Sequence, residues 1–217
     1  MSHEHDKDHS CAICDAMASG KSRDEVVADI LAGMTVQIAE KGFVVHGIDG
    51  TGHGPSFAYT TGLTEMGMPE IFIIGLSVEN AANGVAAYVH MIKDGVIDRD
   101  LTTITQLFNL PVEKCNVTLP EAQEALSNLC GFTRDYYEPK GLEVKWAQLV
   151  MCDDQGLFPW DHGFNHDMMD DAQPLFAVPP EVAEHLDKLR EEDGELEQIA
   201  IDEGFGAAHQ IVPPTIH

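Results

Sequence analysis

The sequence predicts an α+β fold: a mainly antiparallel sheet with helices packed on one face, behind a short N-terminal leader of metal-binding character. Two observations carry that expectation. A helix with its own start and stop signals is followed by three strand-like segments and a second capped helix, and further strand-like runs come after them. The leader concentrates histidines and a Cys-x-x-Cys pair in its first fourteen residues.

Ser22-Arg-Asp-Glu25 is a capping box, Val26, Ile30, Met34 and Ile38 recur at helical spacing, and Gly42 closes the helix. Phe43 to Ile48 reads as a strand, Asp49 to Pro55 as a glycine-rich loop, and Phe57 to Leu63 as the returning strand of a hairpin. Ile71 to Leu76 is apolar throughout, the pattern of a strand buried on both faces. Ser77 caps a helix carrying Val78, Ala81, Ala82, Val85, Val89 and Ile92 that stops at Gly95. Beyond it, Val112 to Leu119 reads as a strand, Pro120 opens a short helix through Leu129, Tyr136-Tyr137 begins another segment, and Val144 to Met151 is a strand ending in the Asp153 to Gly156 turn. Pro174 to Pro180 is a linker, Pro180 to Asp193 an acidic amphipathic helix, and the end a Pro-containing tail. The domain organisation is then a leader over residues 1–20, an α+β domain over 21–178, and the helix and tail over 179–217.

The 217 residues carry 37 Asp and Glu against 12 Lys and Arg, a net charge of −25. Such a field repels phosphate backbones and anionic lipid, so neither nucleic acid nor a membrane surface is an expected partner. A polar start and the lack of a long apolar run point to the cytoplasm. Five cysteines, an odd number, argue against a disulfide framework, and Asp153 and Asp154 beside Cys152 would raise its thiol pKa, which argues against a nucleophilic thiolate.

In the leader, Cys11 and Cys14 can offer two thiolates from one tight turn, with His9 as third ligand and His3, His5 or a residue from the body of the fold as fourth; zinc is the default ion. A tail that binds metal adventitiously and a redox pair are the alternatives. Candidate site residues elsewhere are Tyr59, Glu70, Asp153, Asp161 and His162: a phenol, carboxylates and an imidazole that, if gathered at one rim of the sheet, could act as acid and base or hold a hard cation. Taken singly each has a plainer reading, Tyr59 as a core tyrosine, Asp153 and Asp154 as turn residues, and Trp160 as a packing anchor.

Four segments together, Cys11-Ala-Ile-Cys14-Asp15, Phe57-Ala-Tyr-Thr-Thr-Gly-Leu63, Met68-Pro-Glu-Ile71 and the run from Gln148 to Phe164, resemble a bacterial and phage family, domain of unknown function 4262, from about Cys11 to about Phe176. Members often carry His-Pro where this chain has Ala16-Met17, and a histidine where it has Met68. The resemblance implies no chemistry. Two functions therefore stand side by side. One is a small-molecule-binding protein or enzyme with a pocket between the Tyr59 strand and the Asp153 to His162 segment, plus a structural zinc. The other is an acidic interaction or inhibitor module, antitoxin-like or phage-encoded, that engages a basic protein.

Overall fold

The computed structural model describes residues 18–50, 54–165 and 173–183. The chain divides into two compact units, one ending at Val44 and the other beginning at Val45. The first unit contains helix α1 (Arg23–Lys41), whose ends are those predicted. The Ser22 hydroxyl accepts the Glu25 N–H, and the Glu25 carboxylate accepts the Ser22 N–H at 2.8 Å. At the other end Gly42 adopts φ 87°, and its N–H caps the Ile38 carbonyl.

The remaining elements in chain order are β1 (Val44–Ile48), β2 (Phe57–Thr61), a 3-10 turn (Leu63–Met66), β3 (Glu70–Ile74), α2 (Val78–Lys93), β4 (Thr103–Ile104), β5 (Val112–Asn116), α3 (Pro120–Leu129), α4 (Gly131–Tyr137) and β6 (Trp146–Met151). The six strands form one sheet in the order β1-β2-β3-β6-β5-β4. Pairing is antiparallel for β2/β3, β4/β5 and β5/β6, and parallel for β3/β6. The class is α+β as expected, with a mixed sheet. A parallel partner for β3 requires the chain to cross back to the rim where β3 starts, and everything from α2 to α4 makes that crossover.

Helices occupy both faces of the sheet, not one. Phe57, Tyr59, Phe72, Ile74, Cys115, Trp146 and Val150 share a face and form a single cluster with Ala122 and Leu126 of α3, Cys130 and Phe176. His46 stacks on Tyr59 on that side, so its neighbour Gly47 faces the other, where a Cβ would lie 2.8 Å from Val78 of α2. The physical reason is already present in β3: five consecutive buried residues need cover on both sides, and α2 supplies the second layer. Two glutamines fasten a further segment onto the α3 face. Gln148 of β6 donates to the Pro174 carbonyl and accepts the Phe176 N–H, and Gln173 accepts the Met151 N–H and donates to its carbonyl. Among the described residues no helix is long and apolar enough to cross a membrane. Cys115, Cys130 and Cys152 are free and buried.

Candidate functional site

Glu70 is fully buried at the start of β3, where four donors converge on its carboxylate. These are the Thr60 hydroxyl at 2.5 Å, the N–H groups of Gly62 and Thr64 at 3.1 and 2.9 Å, and the Tyr137 hydroxyl at 2.7 Å. The Tyr137 oxygen in turn accepts the Gly62 N–H at 2.8 Å. Gly62, at φ 125°, makes the reversal that aims these amides inward. Burial, reinforced by Glu70, pushes the Tyr137 phenol above its ordinary pKa and keeps it a donor. The polar block around Thr60 thus serves mainly to satisfy one buried carboxylate, which ties β2, the 3-10 turn, β3 and α4 together.

Tyr59 is 1% exposed, and burial raises its phenol pKa. Its ring is stacked on His46 at 4.7 Å between centroids, and Phe132 flanks His46 on another side at 5.7 Å. His46 Nε2 meets the Thr61 hydroxyl at 3.0 Å, and that hydroxyl meets Thr133 at 2.7 Å. Burial lowers the His46 pKa to about 4, so the imidazole is neutral at pH 7.

Asp153 and Asp161 shape their own turns. Against burial, which acts to raise it, the backbone N–H groups of Leu157, Asn165, Gln155 and Gly156 hold the Asp153 carboxyl below the usual range. Asp161 accepts the Phe158 N–H at 2.8 Å, and His162 is exposed. Phe158 and Trp160 stack at 5.3 Å and pack, half-buried, on the cluster that contains Tyr59. Phe158 and Trp160 therefore join the 153–162 segment to the apolar cluster. The structure does not gather Tyr59, Glu70, Asp153 and Asp161 around one cavity. Because β3 and β6 are parallel with Glu70 opposite Trp146, Glu70 lies at one rim and Asp153 beyond the other, separated by more than about 17 Å at ~3.3 Å per residue from Trp146 to Met151.

What the Asp153 rim does hold is a cavity of 390 Å³ at the carboxyl ends of β3 and β6. Gly75, Leu76, Phe108, Leu110, Val112 and Met151 give it an apolar wall, and Cys152, Asp153 and Asp154 stand on its polar side. The position follows from topology: where two parallel strands end side by side and one feeds a helix, here β3 through Gly75 into α2, the chain diverges and leaves a crevice. The Cys152 thiol donates to the Pro111 carbonyl at 3.1 Å, and burial, with Asp153 also contributing, raises its pKa, which disfavours the thiolate. Asp153 is occupied by backbone donors. Asp154 is exposed at the cavity's edge. A larger open groove of 1030 Å³ lies at the opposite rim, among Glu124, Arg134, Glu138, Glu143 and Lys145.

A family model described as "Domain of unknown function (DUF4262)" matches residues 37–165, more than half of the chain. The chain belongs to this family. The DUF4262 match takes in the Glu70 knot, the His46 stack and the 390 Å³ cavity, and it stops short of the cysteine leader. No curated protein and no solved structure gives a significant match. His9, Cys11 and Cys14 lie outside the described residues, and among the described ones no group of three or more His, Cys, Asp or Glu is arranged to hold a metal.

Sequence reasoning passed over Phe108, Leu110 and Met151 as wall residues and Tyr137 as the partner of Glu70. A signal existed for the cavity: an apolar strand ending in Gly75 immediately before the helix cap Ser77 marks a strand-to-helix crevice. None existed for Tyr137, which is 67 residues from Glu70.

Proposed function

We propose that this DUF4262 protein binds a small amphiphilic molecule in the cavity at the carboxyl ends of β3 and β6, with an apolar body against Phe108, Leu110 and Met151 and a cationic or hydrogen-bond-donating head toward Asp154. The supporting observation is the cavity itself: 390 Å³ falls within the range of about 300–1,000 Å³ common for ligand pockets, and its wall is apolar with few polar groups. No reaction is assigned, because the carboxylates and imidazole that could act as acid and base stand apart. Titration calorimetry with hexylamine and hexanoate tests the reading. Hexylamine should bind, hexanoate should not, and Leu76→Trp, which fills the cavity from a half-buried position, should abolish binding while unfolding cooperatively like the wild type. Equal binding of both probes, or retention by Leu76→Trp, contradicts it.

The Cys11-x-x-Cys14 spacing supports a structural zinc held by Cys11, Cys14 and His9 as a separate proposal. The interaction reading is favoured by the open groove at the opposite rim, where Glu124, Glu138 and Glu143 would meet a basic peptide.

A further inference from the structure

On the α2 face, at the rim opposite the proposed ligand cavity, lies a second, smaller cavity of 190 Å³. Ile71, Tyr88 and Lys114 are its buried wall, and Arg99, Asp100 and Asn116 stand exposed on its open side. Two of the buried side chains keep hydrogen-bonding capacity that the fold does not use. Lys114, in β5 opposite Leu149, is 8% exposed, and its Nζ donates to the Arg99 carbonyl at 2.5 Å. That is the side chain's one hydrogen bond among the described residues, and none of their ion pairs includes it. An ammonium carries three N–H donors and a neutral amine two, so in either protonation state at least one is unspent. Tyr88 of α2 is 1% exposed, and its hydroxyl meets no hydrogen-bond partner among the described residues. The unpartnered side-chain atoms sealed from solvent among those residues are Thr64 Oγ1 and Gln123 Oε1, so the Tyr88 hydroxyl opens onto free space, and the space beside it is this cavity. A buried donor without an acceptor costs free energy, so the cavity calls for an occupant that brings one.

Charge narrows the class of occupant. Burial acts first on both groups, lowering the Lys114 pKa and raising that of Tyr88; Asp100 acts on both as well, and Asp98 and Glu113 act on Lys114. Even with Arg99 and Lys114 both charged, three carboxylates outnumber two cations, which disfavours an anion. A cation has no acceptor to offer the two donors. We propose that this cavity binds a small uncharged carboxamide. The carbonyl oxygen, with two lone pairs, accepts from Lys114 and Tyr88, and the amide N–H groups donate to Asp100 on the open side. A space this small brings its wall groups within reach of one such molecule and excludes a larger one.

The test is amide chemical-shift mapping of the full-length protein at pH 7 with three planar isosteres: acetamide, acetate and acetamidinium. Acetamide should give saturable shifts at Ile71, Lys114 and Asn116, and the two charged isosteres should bind at least about tenfold more weakly. Tyr88→Phe deletes only a hydroxyl that has no partner in the fold, so its unfolding midpoint should be no lower than that of the wild type. Its acetamide affinity should nevertheless drop about three- to tenfold, the effect of one hydrogen bond. No saturable shift with acetamide would leave the cavity to water and overturn the proposal, as would equal binding of the three isosteres. Unchanged acetamide affinity in Tyr88→Phe would overturn it as well.

Discussion

Replacing Tyr137 by Phe removes one hydroxyl from a carboxylate that meets no cation among the ion pairs of the described residues. The bond lost is the 2.7 Å donation to Glu70, and hydrogen bonds to charged groups contribute about 1.5–3 kcal/mol. The Gly62 N–H loses its 2.8 Å acceptor but keeps Glu70 at 3.1 Å, so its share of the penalty is partial. The ring stays, and no cavity opens. The expected loss is therefore roughly 2–3 kcal/mol, against the full desolvation of a buried charge if Glu70 lost all its donors. For a chain of this size that corresponds to roughly 4–12 °C in the unfolding temperature. Urea unfolding followed by circular dichroism measures it. Tyr136→Phe is the internal control: its hydroxyl donates at 3.2 Å to Glu65, an exposed carboxylate already held by Lys140, and should cost less than about 1 kcal/mol. Equal losses for the two variants, or less than about 0.5 kcal/mol for Tyr137→Phe, would refute the picture of Glu70 as a donor-satisfied knot.

Other consequences can be measured with the same protein. His46 has a folded pKa of about 4 against about 6.5 unfolded, so the unfolded chain binds the extra proton between these values and stability must fall as pH drops through that window, at up to about 1.4 kcal/mol per pH unit; His46→Phe should remove that slope and leave the pH dependence above pH 7 unchanged. Trp146, 1% exposed in the core cluster, should cost about 3–5 kcal/mol on replacement by Ala. Half-buried Trp160 should cost less, and equal losses in denaturant would contradict the difference in their packing. In Gly84→Ala the new Cβ would meet Phe108 Cζ at 2.4 Å, and the ring lines the 390 Å³ cavity. Overpacking of about 1–3 kcal/mol is partly offset by about 1 kcal/mol of helix propensity, so hexylamine affinity should drop more clearly than stability. Zinc analysis of protein purified without an affinity tag should show the metal in the wild type and its loss in Cys11→Ser; no zinc in either would remove the leader site.

Local signals in the chain translated directly into structure. The Ser22 to Glu25 box, Gly42, Ser77 and Pro120 start or stop helices where they stand, because capping depends on residues within one turn. The unbroken apolar run of β3 meant cover on both faces, and the structure supplies it. What the sequence left hidden is long-range. Strand direction is set by how the chain returns, so the parallel β3/β6 pair, and with it the separation of Glu70 from Asp153, had no residue pattern to announce it. Cys130 breaks what could have been one helix into α3 and α4, placing Tyr137 at the end of a helix where the residues alone suggested a beginning. Lys114 sits in a strand whose polar and apolar residues do not alternate with the two faces, and its burial follows from the α2 layer.

The central claim is that ligand enters the cavity at the carboxyl ends of β3 and β6. Amide chemical-shift mapping of the isotopically labelled protein during a hexylamine titration tests it most directly. The account predicts saturable shifts concentrated at Gly75, Leu76, Phe108, Leu110 and Cys152, with Asn116, Glu124 and Glu138 at the opposite rim unmoved. Shifts confined to the groove around Glu124 and Glu138, or spread without saturation over the acidic surface, would contradict it.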